Sequence, residues 1–172
     1  MKKLFILTAI AATLASCNTK TNTGTAAIAK DTLTYAYKAT YSSDITVPGN
    51  PVNAQKVLLM WKMFETANIK AMKPYFADTV RYDAADGTHF YGPVDKLLAY
   101  AKSDIDGLDS MRFDIVAWQS AHVNDKNEDW VNIWSRERRY PKNVKADTVL
   151  MQENWQVKAG KVIEFNQYLS KK

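Results

Sequence analysis

The chain has 172 residues, of which 47% are hydrophobic, and its 23 Lys and Arg against 18 Asp and Glu give a formal charge of +5. An excess this small, without any long block of like charge, argues against nucleic acid as a partner. Cys17 is the only cysteine, so no internal disulfide forms and the fold must rest on a buried core.

Lys2 and Lys3 form a positive n-region, and Leu4 to Leu14 an apolar stretch of about eleven residues, far short of the roughly twenty that span a bilayer. This pattern is an export address rather than a transmembrane helix. The closing residues Leu14-Ala15-Ser16-Cys17 resemble the lipobox of bacterial lipoproteins. That resemblance implies cleavage before Cys17, acylation of the cysteine, and membrane attachment through its lipid. Several acyl chains, at about 0.8 kcal/mol per buried methylene, hold such an anchor stably. Removing residues 1–16 leaves 156, the size of one domain, and lowers the excess charge to +3. Asn18 is not the aspartate associated with inner-membrane retention, and Asn18 to Gly24 contain no acidic run. The expected location is the cell envelope, on the periplasmic face of the outer membrane.

Residues 17–30, with the lipidated Cys17 at their head, are polar and small and read as a tether. In the extension 31–50, Leu33, Tyr35, Tyr37, Ala39 and Tyr41 alternate with smaller or polar residues and predict a strand. Val47-Pro-Gly-Asn-Pro51 breaks it, and Asn50-Pro51 is an N-cap and first-turn pair. The helix that follows carries Val57, Met60, Trp61 and Phe64 on one face and should end near Asn68. Ile69, Met72 and Phe76 mark a second, short helix. Thr79 to Asp83 and Thr88 to Tyr91 predict a hairpin turning at Asp86-Gly87, and Gly92-Pro93 opens a third helix with Val94, Leu97, Leu98 and Ala101 inward.

The rest reads as strand. Met111, Phe113, Ile115 and Ala117 share a face of the first, and Trp130 to Tyr140, Val149 to Val157 and Val162 to Leu169 follow. The connections at residues 124–127, 141–143 and 158–160 are short enough for antiparallel neighbours. Helices followed by a meander predict an α+β domain over 51–172, with about three helices on one face of a curved, mainly antiparallel sheet.

In this order, Phe76-Ala-Asp-Thr-Val-Arg-Tyr-Asp83, Phe90-Tyr-Gly-Pro-Val-Asp-Lys-Leu-Leu-Ala-Tyr100 and Glu153-Asn-Trp-Gln-Val-Lys-Ala-Gly-Lys-Val-Ile163 resemble the nuclear transport factor 2-like proteins, in their SnoaL-like and ketosteroid-isomerase-like branch. The resemblance implies a cone-shaped domain with a pocket at its wide end, a small-molecule ligand, and a homodimer through the open sheet face. It carries three candidate catalytic residues: Asp83 as general base, Tyr100 as a phenol of the hydrogen-bond network, and Glu153 as an acid donating to an oxyanion. The oxyanion tyrosine of the isomerases would fall near Met60 or Trp61. Methionine has no donor and an indole N–H is a weaker acid than a phenol, so steroid isomerisation is not expected.

Residue patterns supply alternatives. Glu153 interrupts the apolar face Val149, Met151, Trp155, Val157, which suits either a buried protonated acid or an ion pair with Arg136 or Arg138. Asp83 also fits a turn or capping role, and Tyr100 packing at the edge of the core. Trp61, Phe64, Trp118 and Trp155 are candidates for the ligand pocket. Arg136, Arg138, Arg139, Lys142 and Lys145 read as a solvated hairpin, or as a docking surface for anionic lipid. His89 and His122 are too far apart for a metal motif, and neither a glycine-rich phosphate loop nor a nucleophile elbow occurs, so no cofactor or metal is expected. Three functions remain: a pocket for a small apolar or aromatic ligand, an acid-base isomerase, lyase or cyclase using Asp83 and Glu153, and a non-catalytic protein-interaction module.

Overall fold

Asn50 begins the first helix, as its sequence position requires. Its side-chain oxygen accepts from the Val52 amide at 3.0 Å, and Pro51 supplies the fixed φ of the first turn. This is a computed structural model that describes residues 39–170. Helix α1 (Pro51–Glu65) stops at Glu65, two residues before Ala67 turns left-handed with φ 57°. A 3-10 helix, Ile69–Tyr75, precedes the hairpin β2 (Phe76–Asp83) and β3 (His89–Pro93). Helix α2 (Val94–Asp106) leads into four long strands, β4 (Leu108–Val123), β5 (Glu128–Pro141), β6 (Asp147–Lys158) and β7 (Lys161–Ser170).

Within the expected extension, the two-residue strand β1 (Ile45–Thr46) pairs with Val123 and His122 at the edge of β4. The strand expected from Leu33 to Tyr41 lies mostly outside the described residues, and its last residues, Ala39 to Tyr41, are not in strand. The sheet runs β1-β4-β5-β6-β7-β2-β3. Every pairing is antiparallel except β2 with β7, which brings the first hairpin alongside the last strand. Between β6 and β7 the turn is only Ala159-Gly160, both at positive φ, the conformation a two-residue hairpin needs.

Both helices pack on one face of this curved sheet. Val57, Met60 and Trp61 of α1 join Val131, Ile133, Trp155 and Val157 in the core, and α2 adds Val94, Leu97 and Leu98. A bulge in β4 between Ile115 and Ala117 corrects one expectation. Beyond it Ala117 pairs with Trp134 while Trp118 pairs with the core residue Ile133, so Ala117 does not continue the face of Met111, Phe113 and Ile115. Met60 is fully buried, so Met60→Ala should cost about 2–5 kcal/mol, whereas Asn50→Ala, which removes only the cap, should cost about 1 kcal/mol. Denaturant melts of the two variants check that order.

Candidate functional site

Cross-strand register builds one wall of a cavity. Trp155 of β6 lies opposite Phe165 of β7, Phe165 opposite Tyr82 of β2, and Tyr82 opposite Phe90 of β3. Trp155 and Phe165 stack at 4.2 Å between ring centroids, and Phe165 and Tyr82 at 4.4 Å. The facing wall comes from α1 and β4, where Trp61 and Phe113 rings meet at 4.5 Å with Phe64 beside them. Between these walls is a cavity of about 630 Å³. That is ample for a small organic ligand.

Glu153 sits in this cavity at 6% exposure. Its Oε1 accepts from Gln167 Nε2 at 3.0 Å and its Oε2 from Trp155 Nε1 at 2.9 Å, while the Trp61 indole acts on it in the same sense. These donors are all uncharged. Among the described residues, no Lys or Arg forms an ion pair with Glu153. Burial therefore dominates and pushes its carboxyl up to about 8, helped by the nearby Glu137 charge and opposed by the hydrogen bonds. Tyr82 belongs to the same network, since its hydroxyl donates to Gln167 Oε1 at 3.4 Å. Its own acidity is suppressed first by burial and then by Glu153.

A second acid occupies the cavity toward α2. Glu137 is 1% exposed, and its Oε1 accepts from Arg139 Nε at 2.8 Å; Arg139 Nη1 donates to Asp104 of α2 at 2.9 Å. Burial raises Glu137, and the Arg139 guanidinium holds part of that rise back. Arg139 therefore does not belong to a solvated basic hairpin, because period two along β5 turns it into the cavity with Glu137. Arg138 points to the other face and pairs with Asp114. That face also carries Arg136, so neither arginine can be the partner of Glu153.

The structure gathers some sequence candidates and separates others. Trp61, Phe64, Trp155 and Glu153 line the cavity, and Tyr100 lies at its rim, 71% exposed. Asp83 does not line it. Alternation along β2 points Tyr82 inward and Asp83 outward, where it bonds His89 at 2.8 Å and Arg81 at 3.1 Å. The His89 bond is the main reason its carboxyl is held below the ordinary range. Asp83 and Glu153 thus face opposite sides of the sheet. Nor does Trp118 line the cavity: it is 57% exposed and flanks a separate groove with Pro48, Pro51 and Leu58. Sequence reasoning missed Tyr82, Gln167, Glu137 and Arg139. Period two was the available signal for Tyr82, which shares the face of the buried Val80.

Among the described residues, no helix is long and apolar enough to cross a membrane, and no three His, Cys, Asp or Glu are grouped to hold a metal.

No protein-family model matches the chain, and no curated protein matches it. Solved structures do. A proposed SnoaL-like polyketide cyclase from Jannaschia sp. CCS1 superposes with a TM-score of 0.60 at 13% identity, covering 72% of this chain and 88% of that one. The domain has the nuclear transport factor 2-like fold. An LEH-like epoxide hydrolase of M. tuberculosis shares this fold (TM-score 0.58, 8% identity, 69% of this chain and 82% of that one). So does a protein of ketosteroid isomerase-like fold from Catenulispora acidiphila DSM 44928, in complex with trimethylamine (0.56, 15%, 66% and 84%).

The environment of Glu153 sets a sign for stability against pH. With its carboxyl at about 8 when folded and 4.5 ordinarily, its contribution is fully present below pH 4.5 and is lost as pH rises toward 8. The slope is roughly 1.4 kcal/mol per pH unit from this group alone. In Glu153→Gln, the amide of Gln167 can flip to accept the new N–H, so the variant should equal or exceed the parent at pH 8 and lose this part of the slope. Denaturant melts across that range test it; a variant destabilised only at neutral pH would show that the charged form is the one the fold prefers.

Proposed function

We propose that this is a small-molecule-binding domain whose ligand, apolar or aromatic in body, enters the wide end of a cone and rests on the row of Trp155, Phe165 and Tyr82. The observation that carries this reading is the open cavity of about 630 Å³ between aromatic walls with a buried acid inside it. Aromatic side chains line the space without filling it. Acid-base catalysis as an isomerase, lyase or cyclase is the second reading, favoured by Glu153 alone. A carboxyl kept protonated near neutral pH can donate a hydrogen bond to a developing oxyanion. Against it stands the orientation of Asp83, which leaves the expected general base on the wrong side of the sheet.

The test is saturable binding of N-phenyl-1-naphthylamine, a neutral aromatic probe, followed by its fluorescence. Ala101 lines the cavity from α2 and is not fully buried. Ala101→Trp should fill the space and weaken binding about tenfold or more while shifting stability by no more than about 1–3 kcal/mol. Absence of saturable binding to the parent, or binding unaffected by this change, removes the reading.

The same proposal places the domain at the cell envelope, held on the periplasmic face of the outer membrane by lipid on Cys17. Its support is the run of residues from Met1 to Cys17. Cells given a palmitate analogue should label the parent and not Cys17→Ala. Equal labelling of both would show that the lipid is elsewhere or absent.

A further inference from the structure

We propose that the cavity holds an organic cation, an amine whose apolar or aromatic body lies on the ring row and whose ammonium group is matched by Glu153 and the carboxylates of the cavity. This rests on the ligand-site reading above and adds the charge of the ligand.

The whole chain is basic, with a formal +5, yet the cavity is the reverse. Asp86, Asp104, Glu137, Asp147 and Glu153 line it, against Arg139. Among the described residues, Arg139 is the one Arg or Lys in the lining, and its Nε and Nη1 already serve Glu137 and Asp104. Asp147 stands opposite it in the register of β5 and β6. A ligand anion would therefore find an arginine already outweighed by acids, the exposed Asp86, Asp104 and Asp147 of the same lining among them. Like charges at short range in a poorly solvated cavity disfavour its entry.

Among the described residues Glu153 forms no ion pair, and it is the buried acid of the cavity that only neutral donors hold. From α1 it meets the Trp61 indole, from β7 the Gln167 amide and from its own strand the Trp155 indole, none of them charged. The other titratable groups of the cavity lining are Glu137 and Arg139 of β5, Asp147 of β6, Tyr82 of β2, Tyr100 and Asp104 of α2, Asp86 of the turn between β2 and β3, and the exposed His89 of β3. Tyr82 reports the local field. After burial, its hydroxyl is made less acidic by Glu153, Asp86 and Asp104, with Arg139 alone acting the other way. A neutral ligand leaves this field unanswered. A cation lets Glu153 ionise in place, since an opposite charge within a few Å favours the carboxylate, and its binding at neutral pH must then release protons.

Three probes with a common benzyl group test the inference: benzyltrimethylammonium, its uncharged carbon isostere neopentylbenzene, and phenylacetate, with binding read from tryptophan fluorescence. The ammonium should bind about tenfold or more tightly than neopentylbenzene, and phenylacetate most weakly. Its affinity should rise from about pH 6 to about 8 and level off above, and titration calorimetry in phosphate and in Tris at pH 7 should show net proton release. Glu153→Gln should retain neopentylbenzene, lose about tenfold for the ammonium and lose its pH dependence. The parent's pH profile and proton release stand by themselves if that variant fails to fold. If neopentylbenzene or phenylacetate binds as well as the ammonium, or if the ammonium's affinity falls with pH, the cation inference is overturned while the cavity reading survives. If none of the three binds, both fall.

Discussion

The parallel pairing of β2 with β7 is the constraint on which the site depends. The other pairings of the sheet are antiparallel and follow from short turns or edge contact. This one joins residues more than eighty positions apart, setting Tyr82 beside Phe165 and Asp83 beside Asn166. Shifted by one residue, it would turn Tyr82 away from the cavity and Asp83 into it, because side chains alternate along a strand. The aromatic row, the Tyr82 to Gln167 hydrogen bond and the outward position of Asp83 are consequences of that single register.

Burial acts differently on the two acids of the cavity. Glu137 has a guanidinium at 2.8 Å, which offsets part of its desolvation and ties β5 to α2 through Asp104. Glu153 has only N–H dipoles, which stabilise a carboxylate less than a full charge does. A buried ion pair with a satisfied partner is a structural element. A buried acid held by neutral donors in an open cavity is costly to keep charged, and it responds to whatever charge arrives beside it. Under the proposed binding of a cation, this contrast makes Glu153, rather than Glu137, the group that would couple ligand and proton.

Most of the elements were legible because each has a local cause. Asn50-Pro51 starts α1, Gly92-Pro93 opens α2, and Ala159-Gly160 permits the tight turn before β7. Glu153 was legible for a similar reason, as a carboxyl interrupting a run of apolar residues at period two. Trp118 was misplaced because its position along the sheet leaves no mark in hydrophobic alternation, even though the bulge at Ile115 to Ala117 turns it onto the core face. Past it, Trp118 shares the sheet face of Ile133 but flanks a different groove, beside Pro51 and Leu58 of α1. Arg139 was misplaced because five basic residues close together look solvated when Asp104 of α2, which meets Arg139 only in the fold, cannot yet be seen.

By itself, then, the sequence determined the order and nature of the elements, the inward stripes of both helices and the anomaly of Glu153. Periodicity, caps and turns act over a few residues and need no knowledge of distant partners. Only the tertiary structure decided which face of β2 meets the cavity, that Arg139 belongs to an internal acid-rich cluster, and that Glu153 is surrounded by neutral donors instead of a cation. Those facts depend on the register between strands far apart in the chain and on the balance of charge in an enclosed space. Neither is a property of any local segment.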